Sequence, residues 1–167
     1  MDSGVNTFFF DKQRQSLLSD NQDLNGQGVG SAYSEAFIVK PAPGTVPSSG
    51  DNAVPSDIGR ANDADLFVEV TTAFASANST ATVQFSLVEA DDENQTNVKV
   101  VRQTPAYVVT QLVAGLKIPL GPKLPAGMRK NAFGLKYTVA VEALTAGKVH
   151  ASYGMHADNA LANDVGV

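Results

Sequence analysis

The strongest constraint on the fold is the stretch 133–156, in which apolar side chains alternate with small or polar ones. It reads FGLKYTVAVEALTAGKVHASYGMH. Because successive side chains on a strand point to opposite faces, this alternation predicts two strands, each with one buried face. The buried set is Phe133, Leu135, Tyr137, Val139, Val141, Val149, Ala151, Tyr153 and Met155. The connection 143–147 has the length and the glycine of a longer hairpin loop, so we predict that the two strands pair as a hairpin.

Further short strands are predicted upstream, separated by turn residues. We expect them over 36–40, 66–72, 82–88, 98–102 and 115–120. The connections are a small polar turn (76–80), an acidic hairpin tip (90–96) and a turn with two prolines (121–127), while 107–114 has room for one helical turn. Seven or eight strands with this spacing indicate an all-β, antiparallel sandwich, jelly roll or closed barrel.

Two stretches lack a strand pattern. Residues 1–32 are polar and irregular apart from Phe8–Phe10 and Leu17–Leu18, and we predict an N-terminal arm without regular structure. Residues 41–65 hold four of the eight prolines and predict a long loop. The sandwich is expected over 33–157, followed by a tail over 158–167. Three adjacent phenylalanines need a surface to cover, and the pattern leaves open whether their own domain or a neighbouring molecule supplies it.

Composition narrows the classes of function. A chain of 167 residues fits one domain. It contains no cysteine, which excludes disulfide frameworks, thiolate zinc sites and cysteine nucleophiles, and fits synthesis in a reducing cytoplasm. The net charge of −5, with scattered basic residues, disfavours a nucleic-acid partner. No apolar run is long enough to span a membrane.

No pattern of catalytic or metal-binding residues emerges, so we predict neither an enzyme nor a cofactor. His150 and His156 share a strand face but lie about 20 Å apart along an extended chain, too far to bind one metal ion. The acidic stretches 91–94 and 62–65 are better explained as turns than as calcium loops. Glu69 and Glu142 form a conceivable hydrolase pair, although exposed strand faces usually carry such charges for solubility.

Several short motifs, in order along 8–155, resemble the capsid cement (decoration) proteins of short-tailed double-stranded DNA bacteriophages. They are FDKQ (10–13), SDNQ (19–22), DIG (57–59), LFVEVTTAF (66–74), LVAG (112–115), LP (124–125), LKYTV (135–139) and TAGKV (145–149). The chain departs from that pattern in its longer proline-rich segment 41–55 and in the tail 158–167.

The resemblance implies a jelly-roll sandwich on the outer surface of a phage head, made in the cytoplasm of the host bacterium. Its partner would be the major capsid protein, whose neighbouring subunits it would clamp, and it would form a dimer or a trimer on a symmetry axis. We expect residues 1–25 and 41–55 to make the contacts. The expected partner-binding residues are Phe8, Phe9, Phe10, Asp11, Gln13, Leu17, Leu18 and Asp20.

An alternative function is a carbohydrate- or receptor-binding β-sandwich of a phage head or fibre. Such a module needs a platform of exposed aromatic side chains. The chain has no Trp, and most of its Tyr and Phe residues fall at positions that the alternation assigns to the core. This observation favours the capsid role.

Overall fold

The computed structural model describes residues 17–39, 65–121 and 128–154. In these ranges the chain forms nine strands and one 3-10 turn. The strands are β1 (Leu17–Asp23), β2 (Gly30–Tyr33), β3 (Ile38–Val39), β4 (Asp65–Ser76), β5 (Thr82–Ala90), β6 (Lys99–Gln103), β7 (Tyr107–Val108), β8 (Ala132–Ala140) and β9 (Leu144–Gly154). The 3-10 turn is Val109–Gln111, within the stretch predicted to hold one helical turn. No helix in the described ranges is long and apolar enough to cross a membrane.

The strands form two antiparallel sheets. Sheet I has the order β1-β9-β4, and sheet II has the order β2-β8-β5-β6, with β3 beside β8 and β7 beside β5. The segment 112–118 runs antiparallel along the free edge of β4. Gly115 N–H donates to the Val70 carbonyl (2.7 Å), and Ile118 N–H donates to the Val68 carbonyl (2.8 Å). This segment therefore acts as the fourth member of sheet I.

Chain order shows a jelly roll. The chain passes repeatedly between the sheets: β1 lies in sheet I, β2 and β3 in sheet II, β4 in sheet I, and β5, β6 and β7 in sheet II. The chain returns to sheet I with 112–118 and finishes in β8 and β9, one in each sheet. Sheet II has six strands in four positions, because β2 and β3 both pair with β8, and β6 and β7 both pair with β5. Two packed sheets with this connectivity are the jelly-roll arrangement. The predicted antiparallel β-sandwich is confirmed.

The core lies between the two sheets and is built from the residues that alternation assigned to it. Phe85 and Tyr137, neighbours in sheet II, are fully buried, with ring centroids 5.8 Å apart. Across the sandwich, Phe133 meets Tyr153 at 5.4 Å. Each large apolar side chain removed from water in this way stabilises the fold by about 1.5–3 kcal/mol.

The predicted hairpin over 133–156 is wrong in its pairing. Both strands exist, and their buried faces are correct from Phe133 to Val139 and from Val149 to Tyr153. However, β8 belongs to sheet II and β9 to sheet I, so the short connection between them crosses from one sheet to the other. Val141, predicted to be buried, is 69% exposed and has a φ of 74°. The positive φ turns the chain and ends the alternation.

The prediction of an irregular lead-in over 1–32 is also wrong for the part that the structure describes. Residues 17–23 form β1 at the edge of sheet I, and 30–33 form β2 in sheet II. The register of β1 against β9 shifts twice, between Leu17 and Ser19 and again before Gln22. These bulges interrupt the two-residue period, which is why the sequence showed no strand there.

A second, smaller apolar cluster covers the outer face of sheet II. Phe37, between β2 and β3, packs with Val88, Ala90 and Ala132. This cover explains why β5 is buried on both faces from Phe85 to Ala90, although alternation predicted one exposed face. It also gives a role to Phe37, which the sequence placed in a predicted strand over 36–40, where the structure has only the short β3.

Candidate interaction surfaces

The two ends of the sandwich differ. At one end, which we call the hairpin end, β5 and β6 are joined by the hairpin 91–98. The register places the start of β1, the start of β4 and the end of β9 together at this end, because Leu17 pairs with Ser152 and Asp65 with Gly154. Ile38 pairs with Phe133, so the end of β3 and the start of β8 also lie there. The stretches 1–16, 40–64, 122–127 and 155–167 thus all attach to the sandwich at the hairpin end.

Asp92 makes its hydrogen bonds within the hairpin. Asp92 Oδ1 accepts hydrogen bonds from the backbone N–H groups of Asn94 (3.0 Å) and Thr96 (3.1 Å), and Oδ2 accepts from the Thr96 hydroxyl (2.8 Å). The bonds from Thr96 hold the pKa of Asp92 below its ordinary value. In the described ranges no three His, Cys, Asp or Glu residues are grouped so as to hold a metal ion. The turn interpretation of 91–94 accounts for these contacts; residues 62–64 lie outside the description.

Beside the hairpin, a buried carboxylate fixes the chain that enters β8. Glu89 is 3% exposed, and its Oε2 accepts the backbone N–H groups of Arg129 (2.8 Å) and Lys130 (3.2 Å). Lys130 Nζ in turn donates to Asp91 Oδ1 at 2.7 Å. The Lys130 and Asn97 hydrogen bonds keep the pKa of Asp91 low. These contacts hold the hairpin against the chain that enters β8, and the surface that they form is charged.

The predicted partner-binding residues are divided between described and undescribed parts of the chain. Phe8, Phe9, Phe10, Asp11 and Gln13 lie outside the described residues. Of the three that are described, Leu17 is half-buried, Leu18 is fully buried in the core and Asp20 is exposed. The core therefore accounts for Leu18, which has no surface left for a partner. A partner contact for Leu17 and Asp20 stays a prediction.

The outer face of sheet I carries a small mixed patch. Lys117 Nζ lies 5.3 Å from the ring centre of Phe67, and that ring meets His150 edge to face at 6.4 Å. His150 Nδ1 is 4.0 Å from Asp20 Oδ1. His156 lies outside the description, so the structure does not test the histidine spacing. One half-buried Phe does not make the aromatic platform that the carbohydrate-binding alternative needs.

The conceivable carboxylate pair is not brought together. Glu69 lies in the middle of sheet I, opposite His150 and bridged to Lys117. Glu142 lies in the connection between β8 and β9, near the far end of β4, where it accepts hydrogen bonds from the backbone N–H of Asn78 (3.1 Å) and the hydroxyl of Thr80 (3.1 Å). The rise per residue puts Glu69 about 20 Å from this end of β4. Glycosidases need their two carboxyl groups within about 10 Å.

The end opposite the hairpin has only short connections, and we call it the short-loop end. It consists of residues 24–29, 77–81, 108–114 and 141–143. Hydrogen bonds join these segments, in one case through the first residue of β9: Leu144 N–H donates to the Gln27 carbonyl (2.9 Å), Val109 N–H to the Ala81 carbonyl (3.0 Å), and the Asn78 side-chain amide to Glu142 (2.7 Å). Glu142 has a lowered pKa, first because of the Ser76 hydrogen bond and then because of Asn78 and Thr80.

The sequence did not predict the exposed apolar side chains and the lack of charge at the short-loop end. Four of the five large apolar side chains exposed in the described ranges lie here, namely Val29, Val108, Val113 and Val141. Glu142 is the only charged residue in the four segments, whereas 17% of the whole chain is charged. The available signal was this lack of charge in four separate inter-strand segments, but their proximity depends on the topology.

A family model described as Bbp16, a phage-related name, matches residues 47–153, well over half of the chain. The matched range begins in the proline-rich stretch and includes every strand from β4 to β8 and nearly all of β9. The expected contact residues between Phe8 and Asp20 lie before it. A comparison with curated proteins finds no match.

Proposed function

Because the chain belongs to the Bbp16 family and is therefore a phage protein, we propose that it is a capsid cement protein. In this proposal it binds the outer surface of the phage head and clamps adjacent subunits of the major capsid protein. The observation that carries the proposal is the attachment of four stretches, 1–16, 40–64, 122–127 and 155–167, at one end of the sandwich. A body from which four stretches of chain leave at one end can offer several segments to neighbouring subunits there.

The stabilising mechanism would be linkage. A protein that binds the assembled shell, and not its free subunits, lowers the free energy of the shell alone. Each further contact made by one bound molecule profits from a high effective concentration. Phe8–Phe10 provide apolar area for such a contact, and burying one phenylalanine contributes about 1.5–3 kcal/mol before the cost of ordering the chain.

The experiment is co-sedimentation of the full chain with emptied mature heads from which the protein has been stripped. We expect saturable binding in a simple ratio to the major capsid protein and a higher temperature of head disruption. The decisive variant replaces Phe8, Phe9 and Phe10 with serine. It keeps β1 intact, which is necessary because a deletion that reached Leu18 would remove a core residue.

The serine variant should fold with an unchanged unfolding midpoint and lose occupancy on heads. Gly28→Ala, at the short-loop end with no atom within 4 Å of the added methyl group, is the matched control and should bind normally. Heads that bind neither the native chain nor the control would contradict the cement role. Full occupancy by the serine variant would contradict the contact assigned to the phenylalanines.

A further inference from the structure

We infer that Asn25, at the short-loop end, is a site of spontaneous deamidation, and that one backbone hydrogen bond of the fold gates the reaction. Asn25 is the only asparagine of the chain that is followed by glycine. It is exposed, and a methyl group built on Gly26 would have no atom within 4 Å, so solvent reaches both residues. The inference does not rest on the proposed function.

The reaction needs only the chain and water. The backbone nitrogen of Gly26 gives its proton to a base in the solvent and attacks the side-chain carbonyl carbon of Asn25. The new C–N bond closes a succinimide ring, and the side-chain nitrogen leaves as ammonia. Water then opens the ring at either carbonyl, so one water is consumed for each ammonia released and the product is aspartate or isoaspartate. Glycine favours the attack because no side chain shields its nitrogen, and asparagine is counted among the heat-labile residues.

The fold holds the attacking nitrogen in a hydrogen bond. Gly26 N–H donates to the Leu144 carbonyl at 2.9 Å. The flanking residues fix this pairing, because Leu24 N–H donates to the Gly147 carbonyl (2.9 Å) and Leu144 N–H donates to the Gln27 carbonyl (2.9 Å). A nitrogen whose proton is directed at Leu144 cannot give that proton to the solvent at the same time. The reaction therefore requires local opening of the turn.

The turn itself requires the glycine that makes Asn25 reactive. Gln27 N–H donates to the Leu24 carbonyl (3.1 Å), which closes a four-residue turn with Gly26 in its third position. The φ of Gly26 is 78°, a value that glycine adopts without strain. Asn25 N–H donates to Asp23 Oδ1 at 2.9 Å and fixes the start of the turn. The reactive pair is thus built into the fold, and the bond to Leu144 limits its reaction.

The two products should affect the fold differently. Isoaspartate adds a methylene group to the backbone between Leu24 and Gly26, whose N–H groups both bond to the start of β9. The longer backbone cannot keep both bonds while Leu24, which is 3% exposed, stays in the core. Aspartate leaves the backbone unchanged and adds one negative charge near Asp23. Isoaspartate should therefore prevent the turn from closing again in its native form.

The test incubates the full chain in a mildly alkaline buffer, both folded and in urea above the unfolding midpoint, and follows each asparagine by peptide mass spectrometry. In urea, Asn25 should lose its amide before any other asparagine. In the folded chain the same reaction should be slower by about a factor of ten or more. Faster reaction of another asparagine in urea would overturn the site, and equal rates at Asn25 in the two conditions would overturn the gate.

Two variants test how the turn is held. Asp23→Ala removes the acceptor of the Asn25 N–H, so the folded-state rate, taken relative to the rate in urea, should rise about twofold to tenfold. Lys148→Ala is the matched control, because it removes the same ion pair (3.7 Å) and leaves that acceptor in place. It should react like the native chain. Equal relative rates for the two variants would contradict the part that Asp23 plays in the gate.

Two further measurements do not depend on a destabilised variant. The Gly26 N–H of the native chain should exchange slowly with deuterium, and exchange as fast as in the unfolded chain would overturn the gate. Chains that contain isoaspartate should unfold at a lower temperature than Asn25→Asp, which carries the same charge on a normal backbone. Equal midpoints would contradict the strain expected from the added methylene group. Binding to heads has no part in these measurements, so the two proposals fail separately.

Discussion

The ring of Phe37 lies directly against Gly134, so close that a methyl group built on the glycine would be 2.4 Å from the ring. This contact brings the chain between β2 and β3 onto the outer face of sheet II. There Phe37 seals the cluster with Val88, Ala90 and Ala132. The glycine near the start of β8 is required by this close approach, since any side chain there would occupy the space of the ring.

Gly134→Ala should therefore destabilise the protein, by about 1–3 kcal/mol, because the ring of Phe37 must move out of a packed site. The measurement is the urea concentration at the midpoint of unfolding, compared between variants whose unfolding free energy depends on urea with the same slope. Gly28→Ala adds the same methyl group where no atom lies within 4 Å, and it should leave the midpoint nearly unchanged. Equal midpoints for the two variants would show that Phe37 does not pack on Gly134 in solution.

A buried hydrogen bond joins the two sheets through Ser19 of β1 and Tyr137 of β8, whose oxygens are 2.8 Å apart. The Ser19 hydroxyl donates to Gln22 Oε1 (2.7 Å), so the phenol must be the donor in the bond between the two hydroxyls. Burial raises the pKa of Tyr137 and keeps this proton in place. The bond is directional, and its two ends should respond differently to mutation.

Tyr137→Phe removes the donor and leaves Ser19 bonded to Gln22, so it should cost about 1 kcal/mol. Ser19→Ala leaves a buried phenol without an acceptor and should cost more, about 1–3 kcal/mol. In the double variant the penalty for the orphaned phenol disappears, so its loss should be less than the sum of the single losses. Additive losses in a denaturant titration of all four proteins would contradict this bond.

Glu89 is predicted to be the most sensitive carboxylate of the hairpin end. Glu89→Ala leaves the partly buried backbone N–H groups of Arg129 and Lys130 without their acceptor, which should cost about 1–3 kcal/mol. Glu93→Ala, on the exposed hairpin, should change the free energy of unfolding by less than about 0.5 kcal/mol. Thermal unfolding of both variants compares them directly, and similar losses would mean that Glu89 does not brace the entry to β8.

Alternation in the sequence identified the buried faces well but could not identify strand partners. A face buried against the opposite sheet has the same pattern in a hairpin and in a connection that crosses between sheets, so β8 and β9 were paired wrongly. The prediction missed β1 because two bulges interrupt its period. The short-loop end could not be predicted for a related reason, since Val29, Val108 and Val141 are brought together only by pairing in sheet II.

The stability of the fold at acidic pH should depend on Glu142. The pKa of Glu142 is lowered by hydrogen bonds from Ser76, Asn78 and Thr80, from an ordinary value of 4.5. A carboxyl group with a lowered folded-state pKa contributes stability above its unfolded-state pKa, and this contribution is lost as the pH falls through the folded-state value. Glu142→Gln should therefore lower the unfolding midpoint at about pH 7, and the difference from the native chain should shrink below about pH 4. Glu93→Gln removes the same charge from the exposed hairpin and controls for the change in net charge. A difference that is constant with pH, or larger in acid, would contradict the role of the ionised Glu142 carboxylate in holding the loop 77–81 against the start of β9.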